Sequence, residues 1–373
     1  MQDVISPLKS LYDSGGKGFM KSTGIFTMVA AVLYATAALG QIQPPAGRRS
    51  GPGVQSAQDE REPDVLKACK TPPATGGRRG GPGRGPAPAA QAGPREYKVM
   101  PIPNVVAAGQ QWKEVWEVDG NNADGIIATN DGGLLIAQND KSDVVKLDKN
   151  GKASIAYTGT NTGGSLAINS KGALFIANRG LNPSIEELAP QHKTLANRYN
   201  DDPLDCIGGV LNDVAADNKG GVYFTMGGGF YADPKGKVTR YGTNLTTNGI
   251  ALSPDEKHLY VTNGPALAVF DVGKDGALAN QRDFAKLEGG GNGDGSTFDA
   301  AGRLYVTTNS GVQVIGPDGK YLGLIPTPRG IISVAFSGPD RKMLYAVARD
   351  NAQNRDWIIA IPMISQGPKG RGK

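Results

Sequence analysis

At 373 residues, with Gly and Pro together making about a fifth of the chain, the sequence argues against a helical protein and for many short strands joined by tight turns. The net charge of +5 does not imply nucleic acid as a partner: residues 1–95 hold 12 Lys/Arg against 6 Asp/Glu, residues 366–373 carry three further cations, and 96–365 is left at −4. The basic character belongs to the ends, and the mildly acidic body suits a cation better than a phosphate backbone.

The chain order begins with an address. Lys21 precedes an uncharged run whose apolar part is Gly24–Gly40, and small residues at Ala35-Thr36-Ala37 and Ala38-Leu39-Gly40 offer cleavage sites. These are the parts of a secretory signal peptide over 1–40, with Met20 as its natural start and Gln41 as the new N-terminus. A periplasmic or secreted location follows, with no stable membrane span after cleavage. An uncleaved anchor is the alternative, because the stretch is nearly long enough to span. Residues 41–95 are rich in Gly, Pro and Arg and poor in large apolar residues, and are read as a disordered basic linker. The two cysteines, Cys69 in this linker and Cys206, are read as unrelated thiols, although an oxidising compartment permits their pairing. Residues 366–373 are read as a disordered basic tail.

Between them, 96–365 repeats one phrase six times: an apolar strand, a turn with Asp, Asn or Gly, and a second strand. The instances include SLAINSKGALFIAN, DVAADNKGGVYFTM and GIALSPDEKHLYVT. Alignment places Ala137, Ala177, Thr225, Thr262, Thr307 and Val347 in equivalent positions, at spacings of 40, 48, 37, 45 and 40. That period predicts an all-β fold, a six-bladed β-propeller. Closure must join the two ends: a strand over 356–364 completed either by 97–102 or by 112–118.

A second repeat lies just upstream of each phrase. Asp124, Asn212 and Asp294 each stand 13 residues before an aligned position, and Asn248 stands 14 before, in a blade with a longer turn. Blade two has Gly164 there, and blade six Ser333 or Val334. The innermost strands of a propeller line its channel, so these residues converge. Two carboxylates and two carboxamides form the oxygen set of one hard divalent cation, Ca²⁺ best, with Mg²⁺, Mn²⁺ or Zn²⁺ as alternatives. Each taken singly also reads as an ordinary turn residue.

The stretches 195–225, 247–263, 293–308 and 334–348 make the chain resemble the regucalcin/gluconolactonase (senescence marker protein) family. The resemblance implies a six-bladed propeller that binds one divalent cation and hydrolyses lactones. It places metal ligands on Asp124, Asn212, Asn248 and Asp294 and the general base on Asp294. It departs at Asp124-Gly125-Ile126, where the family usually has Glu-Gly-Pro, and at Gly209-Val210-Leu211, where an Arg often precedes the Asn. The expected function is lactone hydrolysis, with a small lactone or ester as partner and the cation polarising its carbonyl. Asn178, Arg179 and Asp213 are expected to form the substrate-binding set, Asn178 and Arg179 by reaching a substrate hydroxyl and Asp213, next to the ligand Asn212, by tuning the site; a solvated turn residue is the alternative for Asp213. A non-catalytic binding platform with a structural cation is the alternative. His192 and His258 lie in a blade connection and a turn, leaving little material for histidine-based catalysis.

Overall fold

A computed structural model of the chain describes residues 61–71, 94–370 and 372. The signal peptide, its cleavage sites and most of the linker lie outside the described residues. Among the described residues, no helix is long and apolar enough to cross a membrane.

Six four-stranded antiparallel sheets follow one another along the chain. Their innermost strands are Ile126–Ala128, Gly163–Ile168, Val214–Ala216, Thr247–Leu252, Ser296–Phe298 and Gly330–Ser337. Each lies beside the innermost strands of two neighbouring blades, and that of blade six lies beside that of blade one. This is the six-bladed propeller that the 40-residue period predicts.

The blades form because each phrase carries its own turn chemistry. Asp217 Oδ1 accepts the backbone N–H groups of Lys219 and Gly221 at 2.8 and 2.9 Å, and Asp299 and Asn169 close equivalent turns. Gly220 then takes φ +95°, which a side chain would resist. Burial grades outward within a blade. Leu134–Gln138 is buried throughout, whereas the outermost strand of the same blade, Ala153–Thr158, is mostly exposed. The core lies between sheets: Ile127, Leu135 and Ala137 of blade one pack against Leu166, Leu174 and Ile176 of blade two.

Of the two candidate closing segments, the later one closes the ring. Lys113–Asp119 pairs antiparallel with Arg355–Pro362, from Lys113↔Ala360 to Asp119↔Arg355. Arg355 adds ion pairs to Asp119 at 2.6 Å and Glu117 at 3.0 Å. The earlier segment does other work: Val99, Ile102, Val105 and Val106 pack into the core of blades five and six.

Three sequence readings are corrected here. Cys69 and Cys206 are not unrelated thiols but a disulfide, joining residues 137 apart. The bridge fixes the segment carrying the short helix Glu62–Leu66 beside the 3₁₀ turn Leu204–Ile207, where the Lys70 N–H also meets Asp202 Oδ1 at 3.1 Å. This part of the linker is therefore placed. The tail is also docked: the Ala300 N–H donates to the Gln366 carbonyl at 2.7 Å, and Gly372 bridges to Ile168. Backbone pairing holds it, and hydropathy does not report backbone pairing.

Candidate functional site

The predicted ring exists as a backbone motif. Asp124, Asn212 and Asp294 each donate their N–H to the aligned residue of the next strand, Ala137, Thr225 and Thr307, at 3.1, 2.8 and 3.0 Å. Those partners return a bond to the carbonyls of Gly125, Asp213 and Gly295, each at 3.0 Å. Adjacent blades are stitched at the same level, by Gly125 N–H to the Gly164 carbonyl and Gly295 N–H to the Ile332 carbonyl, at 2.8 and 2.9 Å. The glycines are steric necessities, since a Cβ on Gly249 would lie 2.0 Å from the Asp294 carbonyl oxygen.

This stitching corrects blade six. The ring position there is Ile332, not Ser333 or Val334, because both arms of its hairpin run one residue further between bulge and turn. Ser333 sits one level deeper, where its Oγ accepts the Ile126 N–H at 3.3 Å.

Three of the four ring side chains are linked, Asp124 and Asn212 through Arg179 and Asn212 with Asn248 directly. The Asn212 carboxamide donates to Asn248 Oδ1. Asp124 Oδ2 accepts from Asn139 Nδ2 at 2.7 Å and from Arg179 Nη1 at 2.5 Å. Asp294 lies within the electrostatic reach of Arg349.

The three residues expected to touch substrate are instead buried. Asn178 is 1% exposed, with Ser184 Oγ as its acceptor at 3.4 Å. Asp213, 5% exposed, lies one level below the ring; it accepts from Ser165 Oγ at 2.5 Å, Val214 N–H at 3.0 Å and Ile250 N–H at 2.9 Å. It latches blades two, three and four together. Arg179, 3% exposed, turns inward because blade two offers Gly164 at its ring position. A Cβ there would lie 2.0 Å from the guanidinium carbon. Besides Asp124, Arg179 donates to the Leu211 carbonyl at 2.9 Å, the Asn212 carbonyl at 2.6 Å and Asn212 Oδ1 at 2.9 Å.

The sequence reading missed Arg349 and Asn139. Both stand two residues after an aligned position, as Arg179 does, so the offset count that found the ring would have found them on the downstream side. Arg349 is buried against Asp356, with Nε to Oδ1 at 2.8 Å and Nη2 to Oδ2 at 3.0 Å. Its Nη1 has no hydrogen-bond partner among the described residues. Burial alone would raise the Asp124 carboxyl, but the charges of Arg179 and Arg349 and the bonds from Asn139 and Arg179 outweigh it and hold it below the ordinary carboxylate value.

A divalent cation does not fit this donor set as it stands. Asp124 Oδ2, Asn212 Oδ1 and Asn248 Oδ1 are each engaged by N–H donors of the protein, and a guanidinium already lies among them. A dication about 4 Å from that guanidinium is repelled by roughly 8 kcal/mol at an effective dielectric of about 20. The histidines are elsewhere, His192 beside Glu186 at 3.1 Å and His258 beside Asp271 at 3.6 Å.

Comparison with known proteins agrees with this architecture. The pattern of the family described as SMP-30/gluconolactonase/LRE-like region matches residues 152–349, just over half of the chain. A gluconolactonase of Zymomonas mobilis is 30% identical over 171 residues, 38% of this chain and 48% of that protein. A lactonase drp35 of Staphylococcus epidermidis is 36% identical over 136 residues, 33% of this chain and 35% of that protein. The chain thus spans about half or less of the length of these curated relatives. Among solved structures, a gluconolactonase from Xanthomonas campestris superposes with TM-score 0.61 at 22% identity, covering 75% of this chain and 99% of that one. A calcium-binding protein, regucalcin, from Agrobacterium tumefaciens gives 0.57 at 18% identity, covering 73% and 98%. At these identities the superpositions speak for the fold.

Proposed function

Because this chain belongs to the SMP-30/gluconolactonase/LRE-like family, we propose that it hydrolyses a lactone at the end of the channel ringed by Asp124, Asn212, Asn248 and Asp294. The observation that carries the reading is the pairing of opposites there: the Asp294 carboxylate lies within the field of a buried guanidinium, Arg349, whose Nη1 has no partner among the described residues. A buried donor without an acceptor is costly unless something completes it. The charge of that guanidinium favours the negative oxygen of a tetrahedral intermediate formed at this end of the channel.

Asp294 is the base in this reading. It takes a proton from water as the water oxygen bonds to the carbonyl carbon. The intermediate then expels the ring oxygen, and the same proton passes to the leaving alkoxide, giving the open hydroxy acid. The cation that the resemblance implies enters no step, because the donor set does not fit it. Asp124 and Arg179 hold the walls of the site, and a small lactone or ester is the partner that this chemistry calls for.

The test is hydrolysis of a panel of aldonolactones and acyl lactones, followed by acid release in weak buffer. Turnover is expected with at least one, falling by about 10²- to 10⁴-fold in Asp294→Asn while the fold persists. Folded protein that turns over none of the panel would overturn the reading in favour of a non-catalytic binding platform.

A further inference from the structure

We infer that the Arg179 guanidinium is the resident cation of the channel ring, a side chain standing where a divalent metal would otherwise bind, so that this site is complete without metal. The ring brings two carboxylates and two carboxamides to one end of the channel, and such a set needs positive charge beside it. Arg179 supplies it. Its planar fork meets one carboxylate oxygen, one carboxamide oxygen and two peptide carbonyls, at 2.5 to 2.9 Å. A compact ion would ask those same oxygens for a shell of six or more, with carboxamide oxygens turned inward. Here they face N–H groups instead.

The arrangement is written into the chain. Arg179 comes from blade two, the blade whose own ring position is Gly164. That glycine has no positive φ to explain it, and any Cβ would overlap the guanidinium at 2.0 Å. Blade two therefore gives up its ring side chain to make room for its own arginine. The arginine ties blade two to Asp124 of blade one and to Leu211 and Asn212 at the entry to blade three. A lysine could not replace it, because one point charge cannot meet four acceptors in a plane. The inference concerns the same end of the channel as the lactonase reading but does not depend on it, since metal content is measured without substrate.

The experiment is elemental analysis of the purified full-length protein, with thermal melts in chelator and in excess Ca²⁺, Mg²⁺, Mn²⁺ or Zn²⁺. The wild type is expected to carry substoichiometric metal, with a Tm that neither chelator nor cation moves. Arg179→Ala removes the guanidinium and leaves the oxygens, so it is expected to melt lower and to regain Tm on addition of Ca²⁺, as mass action requires. Gly164→Ala is expected to lower Tm by displacing the guanidinium. A wild type that copurifies with stoichiometric divalent metal, and loses Tm when it is stripped, would overturn the inference. So would a wild type that binds Ca²⁺ as tightly as Arg179→Ala, or an unchanged Tm in Gly164→Ala. If Arg179→Ala does not fold, the wild-type measurements and Gly164→Ala decide alone.

Discussion

Asp213 and Asp131 show how differently two carboxylates act in one molecule. Asp213 is buried and accepts from three donors on three blades. Asp213→Ala leaves the Ile250 N–H and the Ser165 hydroxyl without that acceptor in the interior, and is expected to cost about 3 kcal/mol in urea denaturation. Asp131 is an exposed turn residue whose carboxyl is held down to about 2 by hydrogen bonds from Lys146 and Thr129. A lowered folded value means stability that is present above the ordinary carboxylate value of 3.8 and is lost as pH falls through about 2. The pair lies at the surface, so Asp131→Asn is expected to cost less than about 1 kcal/mol at pH 7. The gap between variant and wild type should close between pH 4 and pH 2, as thermal melts across that window would show.

At the scale of elements, the offset count worked on one side of the aligned strand and stopped short on the other. Upstream it marked Asp124, Asn212, Asn248 and Asp294, which the structure gathers at one level. Downstream it would have marked Asn139, Arg179 and Arg349, the groups that surround Asp124 with positive charge and donors. The sequence directs Arg179 to substrate, because nothing in it signals that Gly164 opens a space for the guanidinium. The disulfide belongs to this scale too. Joining residues 137 apart, it removes much freedom from the unfolded chain, and Cys69→Ser is expected to lower stability by about 2–4 kcal/mol. The same variant should expose residues 61–71 to limited proteolysis while the blades stay protected.

For the whole molecule, the decisive contact is the one between the two ends of the propeller. Without Lys113–Asp119, the strand Arg355–Pro362, with its apolar run Trp357–Ile361, becomes an open edge. Open apolar edges recruit other chains. A chain beginning at residue 94, with Cys206→Ser, is expected to remain soluble and rich in β-structure, whereas one beginning at residue 120 is expected to aggregate. Size exclusion and circular dichroism separate the two outcomes.

The six blades, their turns and the level of the ring were legible from residues 112 to 350 alone. A blade is a local object: strand, turn and strand lie within about 40 residues, and each repeats the same hydrogen-bonding chemistry. Pseudo-symmetry then turns a sequence offset into a place in space. What only the tertiary structure decided was which groups share that place. The inward path of Arg179 and the burial of Asp213 beneath the ring depend on distances between blades, the shift of blade six to Ile332 on the length of its own hairpin, and the Cys69–Cys206 bridge on where residues 61–71 pack against the connection between blades two and three. The distances between blades are set by the close approach of backbones at glycines, which recur after Asp124, Asn248 and Asp294 without saying what each must approach.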